Sequence, residues 1–236
     1  MIYFYDTIFS FIYKTIRVNS SFIPKNTKMR NFLYILFLII LIMPGCKSSK
    51  KTLSDTELTE MAIEEGNRIS METQQLLGTT LKSKIQQHGI MEALSYCNLN
   101  AYPLVDSMQT RYEIRIKRAS LDTRNPMDQP DRNEFAIIQN YQSDLEAGRT
   151  LEVFVEIREN EVHYARPILL NDAVCLNCHG MVGKDIAEEN YRIIRDLYPE
   201  DQATGHSLGD LRGIWSLKFN KEVLEKRANT TKKQLF

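Results

Sequence analysis

Between Leu151 and Ile168 the chain carries two alternating runs. Leu151, Val153, Val155 and Ile157 occupy every second position, Glu159-Asn160-Glu161 interrupts, and Val162, Tyr164, Arg166 and Ile168 resume the rhythm. A period of two places one set of side chains on one face of a strand, and a short polar break between two such runs predicts an antiparallel hairpin. No all-helical fold accommodates this segment.

The elements around it are of the other kind. From Asp55, the residues Leu58, Met61, Ala62, Ile69, Leu76, Leu77, Leu81 and Ile85 recur at three- and four-residue spacings, a helix that His88-Gly89 ends. A second helix carries Ile90, Leu94, Cys97, Ala101, Leu104 and Met108 along one face, with Pro103 a candidate kink. Tyr112, Ile114 and Ile116 alternate with charged residues as a strand with one wet face, and a loop from Ser120 to Pro130 follows. Asp131, with Glu134 three residues on, reads as a helix start, continued by Phe135, Ile138, Tyr141 and Leu145 to Gly148. After the hairpin, the pattern predicts a helix through Ile186, Ile193, Ile194 and Leu197 and a long loop from Pro199 to Gly213. A closing strand from Ile214 to Phe219 and an amphipathic helix from Lys221 to Lys232 complete it. Helices flanking a small antiparallel sheet make an α+β domain with long N-terminal helices.

Directly after the hairpin stands Cys175-Leu176-Asn177-Cys178-His179. Two thiols three positions apart can add to the two vinyl groups of one porphyrin, and the adjacent imidazole reaches the iron from one face. The reading is therefore one covalent haem c, weighed against half of a zinc site or a redox dithiol. Zinc needs further Cys or His at ligand spacing, and a dithiol has no use for His179.

The amino terminus agrees with the haem reading. Phe32 to Met43 is an apolar run preceded by Met29-Arg30-Asn31 and followed by Pro44-Gly45-Cys46, the order of charge, core and small residues in a signal peptide. The run is shorter than the roughly 20 residues a membrane span needs. Cys46 at the cleavage point points to a lipid anchor, against simple cleavage or an uncleaved anchor. Residues 1–45 are thus a signal region, with 29–45 the signal peptide and 1–28 read as sequence ahead of the true start. Residues 46–54 form a tether, 55–220 the domain, and 221–236 a C-terminal helix and tail. The expected location is the cell envelope, on a membrane facing the periplasm.

The chain has four cysteines. Lipid takes Cys46 and the thioethers take Cys175 and Cys178, so Cys97 is left over. The residues alone leave it three readings: pairing between molecules, a buried inert thiol, or a ligand to a metal. The 30 basic and 30 acidic residues cancel, so nothing electrostatic points to nucleic acid. No nucleophile motif, paired catalytic carboxylates or phosphate loop argues for an enzyme.

Several stretches then fall into a known order. They are Ala93-Leu94-Ser95-Tyr96-Cys97-Asn98, Arg118-Ala119-Ser120-Leu121 leading to Arg124-Asn125-Pro126, Pro130 with Glu134, Cys175 to Gly180, and Tyr198-Pro199 through Ala203-Thr204-Gly205 to Gly209-Asp210-Leu211-Arg212-Gly213. Together, over about residues 55–220, they resemble the PAS-like c-type haem domain family. That domain of unknown function is known from a cyanobacterial c-type haem protein and from sensor kinases. The resemblance implies a PAS-like fold and axial ligation of the iron by His179 and Cys97. Two positions depart from the family pattern: Asp128 replaces an Asn, and His206 replaces an aromatic. His206 thereby enters as a rival sixth ligand, whereas His88 and His163 read as surface residues.

Arg118 and Arg124 are candidates to pair with the haem propionates, since guanidinium forks match carboxylates, with loop-stabilising bonds as the alternative. A thiolate ligand favours ferric iron, and a haem held on both sides by protein has no vacant site for oxygen chemistry. The leading expectation is a redox or diatomic-gas sensor module, the alternative a membrane-tethered electron-transfer cytochrome. Either needs a separate signalling or redox partner protein, and homodimerisation, common among sensory modules, is a further expectation.

Overall fold

A computed structural model describes residues 52–234. The signal region, Cys46 and most of the tether lie outside the described residues. Helix α1 (Asp55–Tyr112) starts at a capping box, in which Ser54 accepts from the Glu57 N–H while the Glu57 carboxylate accepts the Ser54 N–H. Gly89 (φ 82°, ψ 175°) is the one residue inside α1 with non-helical dihedrals, in a region glycine enters without steric cost. There the chain reverses into a helical hairpin with arms 55–88 and 90–112. Tyr112 at the end of the second arm accordingly donates its O–H to Glu72 of the first, and Arg68 reaches the same hydroxyl at 3.2 Å. Pro103 stays within the second arm.

Glu113 caps α1 in the left-handed region (φ 51°) and turns the chain into β1 (Arg115–Ala119). The strand expected from Tyr112 therefore begins three residues later, because that tyrosine is held by the first arm. Asn125 caps a short 3-10 turn, Pro126–Asp128. Asp131 then starts α2 (Arg132–Glu146) with a second capping box through Glu134. The hairpin read from the alternation is present as β2 (Phe154–Ile157) and β3 (Glu161–Leu169). The one-turn helix α3 (Leu176–His179), α4 (Glu188–Leu197), β4 (Leu211–Asn220) and α5 (Lys221–Gln234) complete the order.

The sheet runs β1-β4-β3-β2 and is antiparallel throughout. Its pleat sends Ile116, Val162, Tyr164, Trp215, Leu217 and Phe219 toward the α1 hairpin and α5, and Ala119, Ala165 and Ile214 toward Ile137, Ile138 and Tyr141 of α2. With both faces covered, alternation does not separate dry from wet positions. His163, read as a surface residue, is fully buried on the α2 side, its Nε2 2.9 Å from Ser216 Oγ and its ring edge-on to Phe154. Glu134, also buried, accepts from Lys117 at 2.9 Å on that side. The α+β class, with helices flanking one small antiparallel sheet, is as the PAS-like reading expected. Among the described residues no helix is long and apolar enough to cross a membrane.

Candidate functional site

Strand β3 leads the chain into the Cys175 motif. Asp172 caps the 3-10 turn Ala173–Cys175, accepting the Val174 N–H at 3.0 Å, and its other oxygen takes Lys82 Nζ of α1 at 2.6 Å. The one-turn helix α3 follows, and a spacing of three residues on a helical turn brings Cys175 and Cys178 to one side. Both line a cavity of about 300 Å³, together with His179 and, from the second arm of α1, Cys97. Leu81, Ile90, Leu94, Ile168 and Trp215 supply apolar wall. Four residues singled out in sequence thus meet at one cavity, from two elements far apart in the chain.

His179 is oriented by the loop behind it. Its Nδ1 lies 2.7 Å from Ala203 O, so the ring donates Nδ1–H there and keeps the Nε2 lone pair free. The same loop is stitched to the motif by Gly205 N–H to Gly180 O at 2.8 Å and His206 N–H to His179 O at 2.9 Å. Arg212 Nε approaches Nδ1 at 3.3 Å, but a nitrogen that donates to a carbonyl has nothing left to accept with, so this is a contact rather than a bond. Burial, with Arg212 and Arg124 nearby, holds the imidazole neutral, the form that ligates metals.

The rival histidines fall elsewhere. His206 stands edge-on to His179, ring centroids 6.4 Å apart, and does not line the cavity. Its Nε2 is buried without a hydrogen-bond partner. His88 is exposed at the hairpin tip, as expected, and is absent from the lining.

Both candidate arginines line the cavity, each with an aspartate of its own. Arg118 pairs with Asp128 at 2.9 Å, and Asp128 also accepts the Tyr102 O–H at 2.8 Å. Arg124 pairs with Asp201 at 2.8 Å and donates to Cys178 O at 2.5 Å, which makes it a brace for the motif backbone. Burial pushes the Cys97 thiol up, against the pull of Arg118 and Arg124. Burial likewise raises Cys175 and Cys178. Arg212, given no role from sequence, also lines the cavity, as do Tyr198 and Trp215. Tyr198 and Arg212 stand in stretches that carry the resemblance, but only position in the folded chain gives them and Trp215 a place at the site.

The donor set suits a particular kind of group. Cys175, Cys178, His179 and Cys97 all line the cavity, yet among the described residues no three or more His, Cys, Asp or Glu side chains are arranged to hold a lone metal ion. Two thiols at one edge, a free Nε2 beside them, a third thiol on a separate wall and apolar surface between fit a broad, flat, mostly apolar group tethered at its rim. That is the shape the Cys175–His179 motif implies.

Among curated proteins nothing matches the chain. Among solved structures it is similar to one titled "Crystal structure of the cyanobacterial heme-protein Tll0287", at 21% identity and a TM-score of 0.42, covering 62% of this chain and 95% of that one. The model of the Tll0287-like family matches residues 54–220, well over half of the 236 residues, from the Ser54 cap to the end of β4. On that match, the chain belongs to the Tll0287-like family.

Proposed function

We propose that this chain is an exported, lipid-anchored haem c protein that works as a redox or diatomic-gas sensor module. In this reading Cys175 and Cys178 would carry the thioethers, His179 and Cys97 would hold the iron, and Cys46 would hold the lipid. One observation carries it: the motif thiols, the free Nε2 of His179 and the thiol of Cys97 all line the same apolar cavity. Family membership supports it, since the family's namesake is described as a cyanobacterial heme-protein.

Each residue has a defined task. Ala203 O fixes the tautomer of His179 and aims Nε2, while Arg124 holds the Cys178 carbonyl and with it the pitch of the motif turn. Haem held by Cys175, Cys178, His179 and Cys97 would supply a one-electron couple and, were Cys97 to let go, a site for a diatomic gas. Cys97 comes from an element separate from the motif, so its hold is the one that can be given up without losing the group. Five residues along the same arm, Tyr102 bonds Asp128, which pairs with Arg118 of β1. A change at Cys97 therefore has a hydrogen-bonded route into the sheet. The second reading, a tethered electron carrier, draws on the partial exposure of Cys175 and Cys178, which leaves one edge of the site within reach of a redox partner.

The test is spectroscopic. Ferric wild type and Cys97→Ala, matured with haem-attachment machinery, are compared by optical and low-temperature electron paramagnetic resonance spectra, then reduced under carbon monoxide. A low-spin thiolate signature that the substitution removes, with carbon monoxide taken up by reduced wild type, is the expected result. Spectra indifferent to the substitution and a reduced protein that refuses carbon monoxide would overturn the switchable ligand and leave the carrier.

A further inference from the structure

Three guanidiniums line the cavity, but only two have counter-charges. Arg118 has Asp128 and Arg124 has Asp201. Among the described residues, Arg212 has no carboxylate within ion-pair distance. Its Nη1 donates to Ser120 Oγ and its Nε faces the Nδ1 of His179, which is already committed to Ala203. A guanidinium drawn out of water is stable only when paired and hydrogen-bonded. Its environment therefore calls for an anion from outside the chain.

We propose that Arg212 is the anion anchor of this cavity, pairing its guanidinium with a carboxylate of the bound group. This rests on the haem reading, under which the carboxylate is a propionate. Planar forks bind carboxylates bidentately, and Arg212 is the one of the three that gives no donor to an aspartate. A residue on β4 thereby joins Arg118 and Arg124, read from the sequence, as a candidate for the carboxylate. Those two frame the wall nearest Cys97 and the motif backbone.

The experiment uses the mature holoprotein, wild type beside Arg212→Gln and Arg212→Lys, and reads the haem propionate bending band by resonance Raman. A shift of that band in Arg212→Gln, with a smaller shift in Arg212→Lys, is expected. Where Arg212→Gln does not accumulate, Arg212→Lys alone decides, because loss of the fork still moves the band. A propionate band unchanged in the variants, with only the iron–histidine band displaced, overturns the inference in favour of a brace for His179. A wild-type sample whose pyridine haemochrome is not of the c type overturns the haem reading, and this inference with it.

Discussion

Replacing Arg124 by Met isolates the most buried ion pair near the motif. Its side chain is 11% exposed and that of Asp201 fully buried, with Nε and Oδ1 2.8 Å apart. The substitution keeps the apolar stem, removes the guanidinium, and strands a buried carboxylate whose other oxygen, Oδ2, already lacks a partner. It also frees the Cys178 carbonyl. Breaking a buried pair by removing one member costs about 3–5 kcal/mol. Against a total stability of about 5–15 kcal/mol that is a large loss. With a urea dependence of about 2 kcal/mol per M, the midpoint of holoprotein unfolding falls by roughly 2 M at unchanged slope. The double variant Arg124→Met with Asp201→Leu removes both charges and regains more than half of the loss, although the Ala203 N–H then loses its 3.3 Å contact with Asp201 Oδ1. A single variant whose midpoint stays within about 0.3 M of wild type, or a double variant worse than the single, would refute the argument from stranded charge.

Two further outcomes follow from packing and charge. A Cβ added at Gly66 would lie 2.4 Å from the ring of Tyr164, so Gly66→Ala overpacks the contact between the α1 hairpin and β3. The expected cost is about 1–3 kcal/mol, a thermal midpoint lower by roughly 3–10 °C in calorimetry. At Asp131, desolvation works against ionisation, but the Glu134 and Asn133 N–H groups and Lys218 outweigh it and hold the carboxyl down to about 2. A depressed folded-state pKa stabilises above the unfolded value near 4 and is lost as pH falls through 2, so acid titration of stability shows this component disappearing across that window. Its side chain is 43% exposed, so screening limits the contribution to about 1 kcal/mol, and Asp131→Asn removes that part of the acid dependence.

Where local chemistry dominates, the sequence was a reliable guide. Gly89 between two periodic runs gave the break between the two helical arms, Asp131 with Glu134 gave a capping box, and Glu159-Asn160-Glu161 gave the turn of the strand hairpin. Where burial comes from both sides, local pattern misled. His163 sits on an alternating strand and reads as wet, yet α2 covers that face. Tyr112 fits the strand period but is claimed by Glu72 and Arg68 across the α1 hairpin. In the site, Cys175, Cys178 and His179 were legible because their chemistry depends on spacing within a single turn. Arg212 was not, since its meaning lies in lacking what Arg118 and Arg124 possess, a carboxylate brought near by the fold.

The place of β4 in the sheet also governs the order in which this protein can be built. It is the final strand along the described chain yet lies inside the sheet, joining β1 and β3, and its partner residues on β1 are about 100 positions earlier. Until residues 211–220 arrive, β1 has no strand to pair with, and such distant pairings form late because loop closure must precede them. The loop that ties Ala203 and His206 to His179 is anchored by the same strand. Cys175, Cys178 and the imidazole beside them therefore stay accessible until residues 211–220 dock, and the cavity closes around them only then.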